Sequence, residues 1–216
     1  LTVAGADGAA PAPTDPLQRN TERASGGEGQ RKAVFLDRDG TINVEKDYLY
    51  RAEDFEFIGG ASEAIKRFND AGFLVIVVTN QSGVARGYYT PHDVDQLHAY
   101  IQDQLMAVGA RVDAFYMCPH HPTQGQGAYL TECDCRKGSP GMLLQAAGEY
   151  NIDLSVSWIV GDKLADVEAG VRAGSRPVLV RTGYGETDCK RLGDYAAITS
   201  VVDDLHAAAD LILGCE

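Results

Sequence analysis

Val34-Phe35-Leu36-Asp37-Arg38-Asp39-Gly40-Thr41-Ile42-Asn43 is the stretch on which the reading of this chain turns. Lys32 to Leu36 read as a buried parallel strand, too short for a helix and closed by a turn. Asp37 and Asp39 then emerge at the carboxyl end of that strand, where open α/β sheets place their ligands. Two like charges this close are costly unless a cation or a shared proton relieves them. The arrangement suits one carboxylate as nucleophile or metal ligand and the other as proton donor. Gly40 permits a conformation that a side chain forbids, and Thr41 offers a hydroxyl and an amide to an anion. Asp-Gly-Thr is also common turn chemistry. The apolar strand directly ahead of it favours a site.

Outward from this stretch, strands and helices alternate. Phe73 to Val78 is a second buried strand, rich in β-branched residues. It runs into Thr79-Asn80-Gln81-Ser82-Gly83, where a hydroxyl beside backbone amides can hold a phosphoryl oxygen. Val112 to Met117 is a third strand. A fourth begins at Trp158 and ends in Asp162-Lys163-Leu164-Ala165-Asp166, hard carboxylate oxygens of the kind Mg2+ takes. Pro177 to Arg181 is a fifth, Ala196 to Thr199 a marginal edge strand, and Phe55 to Ile58 a short one. Helices are expected over Ala61 to Ala71, Thr90 to Val108, Ser139 to Tyr150, Val167 to Ala173 and Val201 to Leu213. Thr90 serves the second as N-cap with Pro91 at its first position, and Val94, Leu97, Ile101 and Leu105 form its apolar stripe. The pattern is α/β: a Rossmann-like parallel sheet flanked by helices. Tyr48 and Tyr50 read as packing on the domain face, with the mouth of a pocket as the alternative, and His92 and His98 as surface or packing residues. Arg86, followed by Gly87, sits where a side chain can reach a substrate.

The loop after the third strand carries Cys118-Pro119-His120-His121-Pro122, and further on Cys133-Asp134-Cys135. Cys118, His120, Cys133 and Cys135 are a ligand set for a closed tetrahedral Zn2+, with His121 as competing fourth ligand. A long loop without secondary structure needs such a reason to stay ordered. Arg136 and Lys137 follow directly, so a metal that fixes Cys135 also aims these cations at the sheet edge, where Lys137 offsets carboxylate and phosphate charge.

At 216 residues the chain is long enough for one domain with its own core. A net charge of −12 argues against a nucleic-acid surface, and no apolar run reaches the ~20 residues a membrane span needs. Five cysteines, three of them near His, favour metal over disulfides and a reducing, cytoplasmic compartment. Residues 1–30, rich in Ala, Gly, Pro, Thr and Ser, read as a disordered arm ahead of a domain spanning 31–216.

The decapeptide resembles motif I of the haloacid dehalogenase superfamily, and Thr79, Lys137 and Asp162 match motifs II, III and IV. With Cys118, His120, Cys133, Cys135 and Arg136-Lys137, the resemblance narrows to the heptose-bisphosphate phosphatases of the histidinol-phosphatase subfamily, covering about Lys32 to Leu213. It implies a fold without a large cap domain, and Asp37 as the nucleophile that forms an aspartyl-phosphate. It implies that Asp39 protonates the leaving alcohol and then activates water. Mg2+ is implied on Asp37, the backbone carbonyl of Asp39 and Asp162, with Asp166 in support. Thr79, Asn80 and Lys163 are implied beside the phosphate. Arg86, Arg136 and Lys137 are implied to bind a sugar bisphosphate, including the phosphate that is not cleaved. The implied reaction removes the 7-phosphate of a heptose 1,7-bisphosphate, in a monomer whose partner is a small sugar phosphate. The family usually carries Pro just after the Lys, where this chain has Gly138. Rival readings are a histidinol-phosphate phosphatase, a polynucleotide 3'-phosphatase, disfavoured by the acidic balance, and a non-catalytic zinc-stabilised binding module, which would need no acidic pair.

Overall fold

The computed structural model describes residues 29–215. The expected disordered arm lies almost wholly outside them. Six parallel strands, β1 (Ala33–Leu36), β2 (Leu74–Asn80), β3 (Ala114–Cys118), β4 (Trp158–Gly161), β5 (Arg176–Val180) and β6 (Ser200–Val202), form one sheet in the order β3-β2-β1-β4-β5-β6. The order reverses between β1 and β4, so the crevice at their carboxyl ends is a topological switch point. Leu36 pairs with Val77 on one side and Val160 on the other, which brings the ends of β1, β2 and β4 together. The helices are α1 (Ala61–Asp70), α2 (Ser82–Ala85), α3 (Pro91–Ala107), α4 (Gly141–Tyr150), α5 (Leu164–Ala173), α6 (Gly185–Asp188) and α7 (Leu205–Gly214).

Side chains on a strand alternate between faces, and here both faces are covered. Val34, Leu36, Val75, Val77 and Val160 pack with α1, α3 and α7 through Ile65, Phe68, Leu97, Ile101, Leu205 and Ile212. Phe35, Ile76, Val78 and Ile159 pack with α4 and α5 through Met142, Leu143, Ala146 and Ala169. Burying a Val, Leu or Phe side chain contributes ~1.5–3 kcal/mol, against ~1–2 kcal/mol per residue for fixing the backbone. A strand as short as β1, buried throughout, therefore holds the loop that follows it.

Several elements depart from the sequence reading. β2 runs on through Thr79 and Asn80, which pair with Met117 and Cys118. α5 starts at Leu164 because the Asp166 carboxylate accepts from the Lys163 amide at 3.0 Å and organises the first turn. Phe55 to Ile58 is not a strand. A 3-10 turn occupies Ala52–Asp54, only a single bridge joins Asn43 to Phe57, and Phe55 instead meets Phe57 and Tyr100 edge-on. The edge strand is Ser200–Val202 rather than Ala196 to Thr199, whose first two residues end a 3-10 helix. Val201 and Val202 belong to that strand, so the last helix waits until Leu205, where the Asp204 side chain caps the Ala207 amide at 2.8 Å. α3 has the expected cap, with Thr90 and Asp93 bonding reciprocally. His92 is exposed, and His98 is buried in stacking contact with Phe115.

Candidate active site

The ends of β1 and β4 put three carboxylates in one place. Asp37, Asp162 and Asp166 are all buried, and one oxygen from each lies within 4.8 Å of the others. Lys137, at the foot of α4, reaches into the group. Its Nζ is 2.6 Å from Asp37 Oδ1 and 2.7 Å from Asp166 Oδ1, with the side chain 3% exposed. Burial disfavours the ammonium, but Asp166 and Asp37 outweigh it and hold the lysine above its ordinary range. Asp37 Oδ1 also accepts from the Arg38 amide at 2.7 Å.

Asp162 Oδ2 accepts from the Tyr184 amide at 2.8 Å, while its Oδ1 is buried without a hydrogen bond. Burial first, and then the charge of Asp37, push its carboxyl up to about 8. A buried carboxylate with a free oxygen, facing two others, is a fitting donor set for a hard divalent cation. The loops around Asp162 leave room for nothing larger than glycine. Gly40 (φ +83) and Gly183 (φ +56) are left-handed, and a Cβ on either would run into Asp162 Oδ2. Thr182 Oγ1 closes the same approach by donating to the Gly40 carbonyl at 2.6 Å.

Asp39 is held apart from this group. Arg38 grips both of its oxygens, with Nη2 2.8 Å from Oδ2 and Nε 3.2 Å from Oδ1. Asn43 Nδ2 donates to Oδ1 and Gln81 Nε2 to Oδ2, each at 3.0 Å. Burial alone would raise the carboxyl, but Arg38, Asn43 and Gln81 bring it below its usual range, so it rests ionised. Gln81 Nε2 also donates to Thr79 Oγ1 at 2.9 Å, which leaves the threonine's own proton free for a ligand oxygen. Tyr89 donates to Gln81 Oε1 at 2.7 Å and stacks on Tyr50.

Other expected site residues stand as follows. Asn80, expected at the phosphate, spends its amide on the Lys137 backbone: Oδ1 accepts from the Lys137 amide at 2.9 Å and Nδ2 lies 3.4 Å from its carbonyl. It is a strap for the lysine loop. Lys163 pairs with Glu45 at 2.9 Å, lies 3.8 Å from Asp162 Oδ1 and sits over the Tyr184 ring. Arg86 lies over the Tyr48 ring, and its Nε is buried without a hydrogen bond. Arg136 donates to the His120 carbonyl at 3.2 Å. Burial, then the charges of Arg136 and Arg86, lower the proton affinity of His121.

The loop from Cys118 to Cys135 gathers its four expected ligands. Cys118 and Cys133 sulfurs are 3.5 Å apart, Cys133 and Cys135 3.2 Å, and His120 Nδ1 is 3.3 Å from Cys135 and 3.9 Å from Cys118. A tetrahedron with metal–sulfur bonds of about 2.3 Å has edges of about 3.8 Å, so the donor spacing fits zinc. His121 is not among them, because its Nδ1 accepts from the amides of Thr123 and Gln124. Hydrogen bonding with Cys118 and burial push the Cys135 thiol up, so a metal must displace protons to bind. Gly138 has φ +97, a conformation closed to proline.

Sequence reasoning missed Arg38, Asn43, Gln81 and Tyr89. The only signal for Arg38 is a charged residue lodged between two carboxylates right after an apolar strand, which reads equally as a solvated turn. Gln81 lies one residue past the strand end, a place that announces no partner.

A family model described as HAD-hydrolase-like matches residues 134–208. The chain is 45% identical over 175 residues to a D-glycero-beta-D-manno-heptose-1,7-bisphosphate 7-phosphatase of Pasteurella multocida, covering 80% of this chain and 94% of that one. It is 48% identical over 159 residues to the protein of the same name from Haemophilus ducreyi, covering 73% and 87%. The crystal structure of a D,D-heptose 1,7-bisphosphate phosphatase of B. bronchiseptica, complexed with magnesium and phosphate, matches with a TM-score of 0.77 at 36% identity, over 86% of this chain and 99% of that chain.

Proposed function

The chain belongs to the D-glycero-D-manno-heptose-1,7-bisphosphate 7-phosphatase family of HAD-like hydrolases, and on that premise we propose how its own residues perform the reaction. The substrate is D-glycero-D-manno-heptose 1,7-bisphosphate and the bond broken joins phosphorus to the C7 oxygen. An Asp37 oxygen attacks phosphorus to form an aspartyl-phosphate, and Asp39 gives its proton to the departing C7 oxygen. Asp39 then takes a proton from water, whose oxygen attacks the aspartyl-phosphate and releases inorganic phosphate and free Asp37. Asp39 rests ionised, so its proton is taken up as the substrate arrives, when a neighbouring phosphate anion raises its proton affinity.

Lys137 and the Thr79 hydroxyl take the phosphoryl oxygens. Arg86 and Arg136 take the phosphate that is not cleaved. Asp37, Asp162 and the backbone carbonyl of Asp39 would hold Mg2+, which supplies charge neutralisation on the phosphoryl oxygens when bound. Cys118, His120, Cys133 and Cys135 would hold Zn2+, which supplies rigidity to the loop that carries Arg136 and Lys137.

The observation that carries this reading is the separation of two acidic roles. Asp37 sits with Lys137 among buried carboxylates, while Asp39, two residues on, is held by neutral amides and an arginine. The test is phosphate release from heptose bisphosphate anomers and from histidinol phosphate. The wild type should favour the heptose, and Asp37→Asn should lose turnover by at least roughly 10³-fold. An Asp37→Asn protein with near wild-type activity overturns the mechanism; a preference for histidinol phosphate overturns the substrate.

A further inference from the structure

Arg38 is among the largest fully buried side chains of the described residues, and the reaction above gives it no task. A buried guanidinium is expensive to desolvate, and hydrophobic replacement is often tolerated when a pair serves stability alone. Its contacts are directional. Nη2 donates to Asp39 Oδ2 and to the Leu49 carbonyl, both at 2.8 Å, and Nε donates to Asp39 Oδ1 at 3.2 Å. Nη1 lies 3.5 Å from His98 Nε2 on α3. Arginine only donates, so that nitrogen is the acceptor and the ring proton sits on Nδ1.

The fork fixes the plane of the Asp39 carboxylate, which a single contact cannot do. The Leu49 carbonyl adds a second anchor. The segment before it is left-handed at both Asp47 (φ 43) and Tyr48 (φ 56), a costly backbone for residues other than glycine. Tyr48 lies against Arg86 and Tyr50 against Tyr89, which reaches Asp39 through Gln81. One buried cation thus joins the proton-carrying carboxylate to the segment beside the crevice.

We propose that Arg38 is a positioning residue for departure of the leaving group, holding the Asp39 carboxylate in the orientation from which it serves the C7 oxygen. This rests on Asp39 acting as the acid. An alkoxide needs a proton as it leaves and p-nitrophenolate does not, so the two substrates separate proton delivery from all else. kcat/KM covers the steps up to that departure.

The test measures kcat/KM for heptose bisphosphate and p-nitrophenyl phosphate in wild type, Arg38→Lys, Arg38→Met and Asp39→Asn. Arg38→Lys keeps the charge and loses the fork, and it guards against a Met variant that does not fold. The ratio of heptose to aryl substrate should fall roughly tenfold to a hundredfold in the Arg38 variants, and further in Asp39→Asn, within the ~10²–10⁴ that acid–base help supplies. A loss of folded protein lowers both substrates together and leaves the ratio untouched. An unchanged ratio in both Arg38 variants, with a changed ratio in Asp39→Asn, overturns the positioning role. An unchanged ratio in Asp39→Asn overturns the acid assignment and the inference built on it.

Discussion

Replacing Lys137 with Met removes the cation that touches Asp37 and Asp166 and keeps a similar volume. In the wild type its Nζ lies 2.6 Å from Asp37 and 2.7 Å from Asp166. At an effective dielectric of about 20, each contact is worth roughly 6 kcal/mol of attraction. Desolvation of the ammonium and carboxylates takes back most of that sum. Breaking a buried pair by removing one partner leaves a net loss of about 3–5 kcal/mol. The carboxylates left behind repel one another, so a divalent cation becomes worth more to the variant than to the wild type. Urea unfolding in metal-depleted buffer, with and without added Mg2+, reads both quantities. The variant should lose about 3–5 kcal/mol without Mg2+ and regain more than the wild type gains on its addition. Its phosphatase activity should fall at least roughly a hundredfold, because a preorganised positive charge is gone. A variant within about 1 kcal/mol of wild type in metal-depleted buffer, or one that gains no more than wild type from Mg2+, refutes the electrostatic account of the cluster.

Burial depresses the His98 pKa to about 3, with the Arg38 charge adding to it. A histidine with a lowered folded pKa contributes stability that is complete above ~6.5 and is lost as the pH falls towards 3, at up to ~1.4 kcal/mol per pH unit. His98→Asn should therefore show a shallower loss of stability between about pH 6 and 4 in parallel unfolding curves; equal slopes argue against a neutral buried imidazole. Cys135→Ser should lower the zinc that copurifies with the protein. It should also cost heptose bisphosphate hydrolysis on the order of a hundredfold, as for a ~1 Å misplacement of reacting groups, and p-nitrophenyl phosphate hydrolysis less, because Arg136 and Lys137 follow the ligand directly. A zinc-free, folded variant with wild-type rates on both substrates would show that the loop does not position the site.

Strand ends were the most legible part of the chain. An apolar run of β-branched residues cut off by a polar residue marks a sheet edge, and Asp37, Thr79 and Asp162 all sit at such cuts. Lys137 could be placed only through its neighbour, since Cys135 belongs to a ligand set whose spacing is visible. The inward turn of Arg38 had no such mark, because its partners Leu49 and His98 come from elements whose packing no local pattern encodes. β6 was misplaced because three half-buried residues carry too little periodicity to separate a strand from the 3-10 helix before it. Asn80 was expected beside the phosphate, and the pairing of β2 with β3 makes it a strand residue whose amide reaches the lysine loop.

The strand order has a cost during synthesis. β1 lies inside the sheet, third from the β3 edge, yet it is the first of the six strands made, and one of its flanks belongs to β4. A nascent chain that has paired β1, β2 and β3 presents Ala33–Leu36 as a bare rim of unsatisfied amides and carbonyls beside apolar side chains. That rim stays open while the ribosome makes the stretch from Cys118 to Trp158, roughly 2–8 s at ~5–20 residues per second. An open apolar rim invites pairing with other chains. The two carboxylates that follow β1 keep the end of this rim charged until Trp158–Gly161 arrives to cover it.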